Sequence, residues 1–375
     1  MPIAYFEFVF LYSLFLYSCN SCFFIRVIRV MKFGIIGSGS WATALAKILT
    51  DNGCSINWLV RNEKIADHLV KRHHNPNYLS SVYFDAKLLS LSTDIKKVVA
   101  ESEYILVAVP SAYVVDTLKP LSTDAFKNKK VISAVKGIIP HNNQLLNDYI
   151  KECYQVPLED YFTIMGPCHA EEVAAEKLSY LTFSGMDQKG TGELASKFST
   201  PYLNTIVNKD VYGVQYAAIL KNIYALGAGI AHGLEYGDNF LSVLIANSAD
   251  EMAGFLRKVG ARHIEVGVHE EEDPVTHKKN ANYATSVYLG DLLVTCYSLY
   301  SRNRTFGNMV GKGYSVKAAQ LEMNMVAEGY NASRCIYLIN KEFKADMPIA
   351  ETVYKILWEN VKPSEGVNHI EQFLV

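Results

Sequence analysis

A glycine-rich turn, placed between an apolar run and a helix-like segment, constrains this chain most. Phe33–Ile36 is wholly apolar and has the length of a buried strand, and the sequence GSGSWA at residues 37–42 follows it directly. Gly37 permits a tight turn, Gly39 leaves the backbone open to phosphates, and Ala42 is small enough for a helix to lie against the strand. The pattern predicts a strand, turn and helix whose N-terminus holds the pyrophosphate of a dinucleotide.

Composition is typical of a globular protein. The 375 residues are half hydrophobic and one fifth charged, which is enough for two domains with cores of their own. A formal net charge of −2 argues against a nucleic-acid partner held by bulk positive charge. The seven cysteines are scattered and odd in number, which is typical of reduced thiols in a cytoplasmic protein.

The first thirty residues form an apolar extension. Phe8–Phe24 is almost entirely apolar, and Arg26 and Arg29 come after it. A membrane anchor is one interpretation, because about 17–25 apolar residues can span a bilayer, but a signal peptide would carry its charges first. The predicted nucleotide-binding strand starts directly after Met31 and leaves no linker. We therefore expect residues 1–30 to lie outside the fold of a cytoplasmic protein without membrane contact.

The rest of the chain divides into two regions of different pattern. Short apolar runs alternate with helical segments up to residue 211 and predict an α/β, Rossmann-like, doubly wound parallel sheet over residues 31–211. Helical spacing predominates afterwards and predicts an all-α domain over residues 212–375. The predicted strands are Phe33–Ile36, Ile56–Val60, Tyr104–Val109, Lys130–Val135, Thr163–Met165 and Leu178–Phe183, and the predicted helices include Val214–Ile230, Phe240–Val259 and Ala318–Ala327.

Polar or turn-forming residues follow several of these strands. Arg61, Pro110, Lys136 and Gly166 all come at predicted carboxyl ends, where ligands gather in doubly wound sheets. Arg61 stands where an acidic residue would select NAD through the ribose 2′-hydroxyl, whereas an arginine can accept a 2′-phosphate. Arg61 is therefore compatible with NAD and with NADP. It is equally compatible with a solvated surface arginine that contacts no cofactor.

Four short stretches of the chain carry polar residues out of keeping with their surroundings. They are Lys221 and Asn222 in YAAILKNIYALGAGI, Asp291 and Thr295 in YLGDLLVTC, Arg302 and Asn303 in SRNRTFG, and Lys136 in KVISAVKG. Lys221 lies inside an apolar helical segment, where a lysine is costly to bury unless it is paired. Asp291 could be the partner of Lys221 and set the pKa of Lys221. The alternatives are a surface lysine whose stem covers apolar neighbours, a helix N-cap for Asp291 and a surface charge for Arg302.

Together these stretches resemble the bacterial type of NAD(P)-dependent glycerol-3-phosphate dehydrogenase. The matching pieces occur in family order and cover nearly everything from Met31 onward. They are GSGSWATALA, VPS at 109–111, SAVKG at 133–137, GPCHAEEVA at 166–174, LKNIYALGAGI at 220–230, GDN at 237–239, GDLLVTC at 290–296, SRNRTFG at 301–307 and AEGY at 327–330.

The resemblance implies hydride transfer between a nicotinamide and the central carbon of dihydroxyacetone phosphate or glycerol 3-phosphate. It makes Lys221 the general acid of reduction, with Lys136 polarising the substrate oxygen and Asp291 orienting Lys221. NAD or NADP would contact Gly37, Ser38, Gly39, Ser40, Trp41, Arg61, Pro110, Lys136, Ala170 and Glu328. The substrate would contact Lys136, Gly166, Lys221, Asn222, Asp291, Thr295, Arg302 and Asn303, with Arg302 and Asn303 on its phosphate.

The chain departs from the family pattern at several positions. Ala42 replaces the third glycine of the turn, and Cys168 and His169 stand where the family usually has Ser and Phe. Asn247 occupies the position of an arginine in many members. A charged segment, residues 267–282, replaces a compact connection; we expect an exposed loop whose His269, Asp273 and His277 are solvated, with no metal site.

Other hypotheses belong to different classes. A 2-hydroxy-acid or sugar-acid dehydrogenase of the same two-domain plan would share a catalytic lysine but not SRNRTFG or GDLLVTC. A non-enzymatic cofactor sensor would have lost Lys136, Lys221, Asp291 or Arg302, and all four are present. The resemblance further implies a small-molecule substrate, a role in supplying glycerol 3-phosphate for phospholipid synthesis, and possible homodimers.

Overall fold

The computed structural model describes residues 31–260, 270–272, 279–281, 286–323 and 327–375. Its strands are β1 (Phe33–Ile36), β2 (Ile56–Leu59), β3 (Leu89–Ser92), β4 (Tyr104–Val107), β5 (Lys130–Ser133), β6 (Tyr161–Met165), β7 (Ser179–Gly185), β8 (Leu203–Asn208), β9 (Glu270–Glu272) and β10 (Lys279–Ala281). Its helices are α1 (Ser40–Asp51), α2 (Glu63–Arg72), α3 (Ile95–Ala100), α4 (Val114–Leu118), α5 (Leu146–Tyr154), α6 (Ala170–Ala174), α7 (Gln188–Ser196), α8 (Val211–Gly233), α9 (Asp238–Lys258), α10 (Asp291–Tyr297), α11 (Arg302–Gly311), α12 (Val316–Glu322), α13 (Glu328–Phe343), α14 (Pro348–Trp358) and α15 (Pro363–Glu371).

An eight-stranded sheet forms the N-terminal half, in the order β3-β2-β1-β4-β5-β6-β7-β8. The strands from β3 to β6 are parallel, which confirms the prediction of a Rossmann-like, doubly wound sheet. The central strands β1 and β4 are fully buried, because helices cover both faces of such a sheet and leave no polar side. The chain order reverses between β1 and β4, so the ligand crevice is expected at their carboxyl ends.

The last part of the sheet differs from the parallel prediction. β7 runs antiparallel to β6, and β8 pairs parallel with β7. The connection from β6 to β7 contains only the five-residue helix α6. A helix of that length rises about 7.5 Å, less than the roughly 17 Å of β6, so the chain turns back beside β6 instead of crossing over the sheet.

Helix α8 forms the centre of the C-terminal half. It is 23 residues long and buried around nearly its whole circumference, as expected of a helix that is apolar on all sides. Helix α11 crosses it with the two backbones in direct contact: a Cβ on Gly307 would lie 2.1 Å from the Leu226 carbonyl, and one on Gly229 would lie 2.2 Å from the Arg304 carbonyl. This crossing brings the start of α11 next to the middle of α8.

Several expectations concern segments that the structure describes only in part. Within residues 267–282, β9 and β10 form an antiparallel pair with Lys279 opposite Glu272; the remainder, including His269, Asp273 and His277, lies outside the described residues, as do residues 1–30. The helix expected over Ala318–Ala327 is α12, which ends at Glu322, and residues 324–326 are also outside that part. Among the residues described, no helix is both long and apolar enough to cross a membrane.

Candidate active site

The glycine turn after β1 has the geometry that a dinucleotide phosphate needs. Gly37 has a φ of 127°, and a Cβ there would lie 2.5 Å from the Ala108 carbonyl, so only glycine fits this turn. Gly39 is the N-cap of α1 and has no side-chain cap, and the space in front of it is open to 4 Å. The buried Nε1 of Trp41 has no hydrogen-bond partner within the described part of the chain. These unpaired donors at a helix N-terminus fit the pyrophosphate of NAD or NADP.

Two side chains that carried no motif hold this turn from behind. Asn75, which is 1% exposed, donates to the Ser38 carbonyl (3.2 Å) and to the Thr43 hydroxyl (2.9 Å). The Trp58 indole donates to the Gly37 carbonyl at 2.7 Å. Ser38 therefore contributes a fixed carbonyl to the turn. The sequence offered no signal for either contact, because both join the turn to residues 20 or more positions away.

Arg61 follows β2 at the same sheet edge as the glycine turn, because Leu59 of β2 pairs with Ile36 of β1. It is exposed and comes two positions after the end of β2. The neighbouring Asn62 caps α2 through its side-chain oxygen, which accepts from the Ile65 N–H at 3.1 Å. No carboxylate stands at either position to accept a ribose 2′-hydroxyl, so this strand end does not require NAD and leaves NAD and NADP open.

Glu328 is held by hydrogen bonds to Ser111, shortly after the end of β4. Ser111, next to Pro110, donates to Glu328 through its N–H (2.8 Å) and its hydroxyl (2.5 Å). Burial raises the pKa of the Glu328 carboxyl, while the Ser111 hydrogen bonds and the charge of Arg302 lower it. Glu328 thus joins the first residue of α13 to the sheet edge and lies within the electrostatic reach of Arg302.

Lys221 and Asp291 form a buried ion pair. The Lys221 Nζ lies 2.5 Å from the Asp291 Oδ1, and the two side chains are 6% and 1% exposed. Burial lowers the pKa of Lys221 to about 8; the charge of Asp291 opposes this fall, and that of Lys136 adds to it. The surface-lysine interpretation is excluded by this burial. Asp291 is not the N-cap of α10, which is Gly290, and its Oδ2 has no partner among the described atoms.

Lys136 links three parts of the sheet edge. Its Nζ donates to the Gly166 carbonyl at 3.0 Å and lies 4.9 Å above the Trp41 ring. The ammonium group therefore stands between the end of β5, the end of β6 and the phosphate-binding turn. Its positive charge adds to the lowering of the Lys221 pKa, so the two ammonium groups lie within electrostatic reach of each other.

A chain of amide hydrogen bonds fixes this space to the helical half. Asn222 donates to the Lys136 carbonyl (2.9 Å) and to the Ala218 carbonyl (3.0 Å). Its side-chain oxygen accepts from Asn303 at 2.8 Å, and the oxygen of Asn303 accepts from the Gly329 N–H at 2.9 Å. Both N–H groups of Asn222 are used, so it positions neighbours; the second N–H of Asn303 has no partner in the part of the chain that the structure describes and can serve a ligand.

Three further predicted residues surround the centre. Thr295 lies one turn after Asp291, and its hydroxyl donates to the Asp291 carbonyl at 2.6 Å. Arg302 begins α11 and is half-buried. Ala170 is buried at the start of α6, and its neighbour His169 has a buried Nε2 with no partner in the described part. The sequence marked His169 only as a departure from the family.

Comparisons with known proteins agree with this geometry. The N-terminal model of the family described as NAD-dependent glycerol-3-phosphate dehydrogenase matches residues 32–191, and its C-terminal model matches residues 210–368. The chain is 34% identical to glycerol-3-phosphate dehydrogenase [NAD(P)+] of Thermoanaerobacter sp. (strain X514), over 90% of this chain and 96% of that relative. It is 32% identical to the protein of the same name from Bacillus pumilus (strain SAFR-032), over 90% and 93%.

A solved structure extends the likeness to the fold. The crystal structure of glycerol-3-phosphate dehydrogenase from Coxiella burnetii superposes with a TM-score of 0.77 at 26% identity, covering 91% of this chain and 98% of that one. Both halves of the family are therefore present in family order within one chain. The chain belongs to the NAD(P)-dependent glycerol-3-phosphate dehydrogenase family.

Proposed function

We propose that this chain is a glycerol-3-phosphate dehydrogenase that moves a hydride between NAD(P)H and dihydroxyacetone phosphate to give sn-glycerol 3-phosphate. The observation that carries the proposal is the buried Lys221–Asp291 pair, 2.5 Å apart. It shares an electrostatic environment with Lys136, which stands above the dinucleotide turn. A proton donor and a nicotinamide site in one space are what reduction of a ketone requires.

The protein side of the reaction centres on a proton at Lys221 Nζ. Bound NAD(P)H supplies the hydride. With a pKa of about 8, Lys221 holds its proton at neutral pH and gives it to the ketone oxygen; in the reverse direction the neutral amine takes it back. A positioned acid or base of this kind contributes about 10²–10⁴-fold. Asp291 holds the ammonium group in place by the 2.5 Å contact.

The remaining groups bind and polarise the substrate. Lys136 is anchored by the Gly166 carbonyl, and its positive charge stabilises negative charge that develops on the substrate oxygen. Arg302 and the spare N–H of Asn303 are the proposed phosphate contacts, since a guanidinium group matches a phosphate bidentately. The amide chain through Asn222 holds Lys136 and Asn303 at a fixed separation.

The test follows absorbance of NADH and of NADPH after dihydroxyacetone phosphate is added to the full chain. We expect oxidation of at least one cofactor and a loss of at least about 100-fold in Lys221→Met, since that change removes the proton donor. Lys312→Met, at an exposed position, is the matched control. A folded protein that binds both cofactors but oxidises neither would overturn the proposal and favour the sensor hypothesis. Faster turnover of 2-keto acids would favour the hydroxy-acid dehydrogenase alternative.

The family match also supports proposals about the setting of the enzyme. It supports a division into a dinucleotide-binding domain and a helical substrate domain, because the two family models match residues 32–191 and 210–368 separately. We also propose a cytoplasmic enzyme, active as a homodimer, that supplies glycerol 3-phosphate for phospholipid synthesis. Light scattering on the purified chain tests the dimer: a mass near 42 kDa would contradict it.

A further inference from the structure

His169 stands on a rigid turn beside the proposed substrate space. One residue earlier in this turn, the Cys168 N–H donates to the Gly166 carbonyl (2.9 Å), which also accepts from Lys136. The Cys168 thiol donates to the Tyr180 carbonyl at 3.1 Å. His169 itself is the N-cap residue of α6, and its carbonyl accepts from the Val173 N–H at 3.1 Å. The backbone that carries the imidazole is therefore fixed on both sides.

The imidazole of His169 has a polar atom without a protein partner. Its Nε2 is buried and makes no hydrogen bond in the part of the chain that the structure describes. The ring lies 6.1 Å from the Tyr300 ring. Leaving such a buried atom unpaired is unfavourable, so a ligand group that pairs with it gains binding energy.

The charges around His169 decide which ligand group fits. Burial, followed by the positive charges of Lys221 and Lys136, lowers the pKa of His169 to about 4. Asp291 and the backbone of Val294 act in the opposite direction. The ring is consequently neutral at physiological pH, with one nitrogen as donor and the other as acceptor. A hydroxyl group both donates and accepts, so it pairs with Nε2 in either tautomer, whereas a phosphate would prefer a cation.

We propose that His169 Nε2 hydrogen-bonds the terminal, unphosphorylated hydroxyl of dihydroxyacetone phosphate and so adds to the preference of this chain for that substrate. This inference rests on the proposed function, which assigns the ketone oxygen to Lys221 and the phosphate to Arg302. The terminal hydroxyl is the one polar group of the substrate that those assignments leave without a partner. A ketone phosphate with a methyl group at that end would leave Nε2 unpaired and bind less well.

The experiment compares two substrates on three forms of the full chain. The substrates are dihydroxyacetone phosphate and hydroxyacetone phosphate, which has a methyl group in place of the terminal hydroxymethyl group. The forms are the unsubstituted chain, His169→Phe and His169→Gln, whose amide can reach the position of Nε2. We expect kcat/KM of the unsubstituted chain to favour dihydroxyacetone phosphate by about tenfold or more, the value of a hydrogen bond to a buried group.

His169→Phe should lower kcat/KM for dihydroxyacetone phosphate by about tenfold and leave hydroxyacetone phosphate nearly unchanged; His169→Gln should restore much of the preference. Equal losses on both substrates, or an unchanged ratio in His169→Phe, would overturn the inference while leaving the proposed function in place. Absence of turnover of either ketone by the unsubstituted chain would overturn both.

Discussion

The substitution Asp291→Asn isolates the charge that sets the proton affinity of Lys221. Asparagine keeps the shape of aspartate, and the position is 1% exposed, so water cannot replace the lost charge easily. At its pKa of about 8, Lys221 is roughly nine-tenths protonated at pH 7. Asp291 raises this pKa by its charge and its hydrogen bond, against the effect of burial. Removing the carboxylate should therefore move the pKa downward.

The size of the change in the Lys221 pKa follows from the 2.5 Å distance between Lys221 Nζ and Asp291 Oδ1. An opposite charge within about 4–6 Å shifts a pKa by about 1–3 units. If the loss of Asp291 lowers the pKa of Lys221 by about two units, that pKa becomes about 6. The protonated fraction at pH 7 would then be roughly one tenth. Reduction of the ketone needs the ammonium form, so its kcat/KM at pH 7 should fall about tenfold. Oxidation needs the neutral amine, and the pH at which its rate levels off should fall from about 8 to about 6.

Profiles of kcat/KM against pH, in both directions, measure this change. In the unsubstituted chain we expect kcat/KM for reduction to decline above about pH 8. In Asp291→Asn this decline should begin about two pH units lower. Asp67→Asn, at a side chain that is 71% exposed, is the matched control and should leave the profile in place. A decline that stays near pH 8 in Asp291→Asn would refute the reasoning that the Asp291 charge sets the pKa of Lys221.

Three further substitutions test other parts of the structure. Gly307→Ala places a Cβ 2.1 Å from a carbonyl of α8, so it should lower the free energy of unfolding by about 1–3 kcal/mol and reduce kcat. The control is Gly254→Ala, whose added Cβ has nothing within 4 Å. Thermal denaturation should show this control to be neutral or stabilising. Burial raises the pKa of Glu251 to about 7, above its unfolded value, so its contribution to stability is present at low pH and is lost between about pH 4.5 and 7. Glu251→Gln should abolish this loss, about 3 kcal/mol, in denaturant titrations, and the exposed control Glu193→Gln should retain it. Arg61→Ala should raise KM for NADPH about tenfold and leave KM for NADH within about twofold; equal changes for both cofactors would contradict a 2′-phosphate contact.

The parts of the fold that the sequence could predict depend on local physics. β1 and β4 are apolar runs because they are buried on both faces, and the turn at Gly37 has a backbone conformation that favours glycine. The partner of Lys221 could be predicted for a similar reason. A cation in an apolar helix needs an anion, and Asp291 is the acidic residue of a second apolar segment.

The parts that escaped prediction depend on distant contacts. β3 and β8 lie at the two edges of the sheet and are only partly buried, so neither forms an apolar run. The reversal at β7 depends on how a short connection packs, which no residue pattern records. Asn75 is an unremarkable polar residue until the fold places it behind the phosphate turn.

The same low dielectric that makes the Lys221–Asp291 pair costly also makes it useful. Replacing a buried ion pair with apolar residues is often stabilising, so α8 gains no evident stability from its lysine. Burial is, however, the largest cause of the low pKa of Lys221, and Asp291 keeps that pKa from falling further. The balance of the two leaves a value of about 8, close enough to neutrality for one side chain to give a proton in reduction and take it back in oxidation. A solvated lysine on the surface of α8 would keep an ordinary pKa near 10.4 and would be a poor base at pH 7. The apolar helix is therefore part of the proposed chemistry, because it supplies the environment that tunes the proton donor.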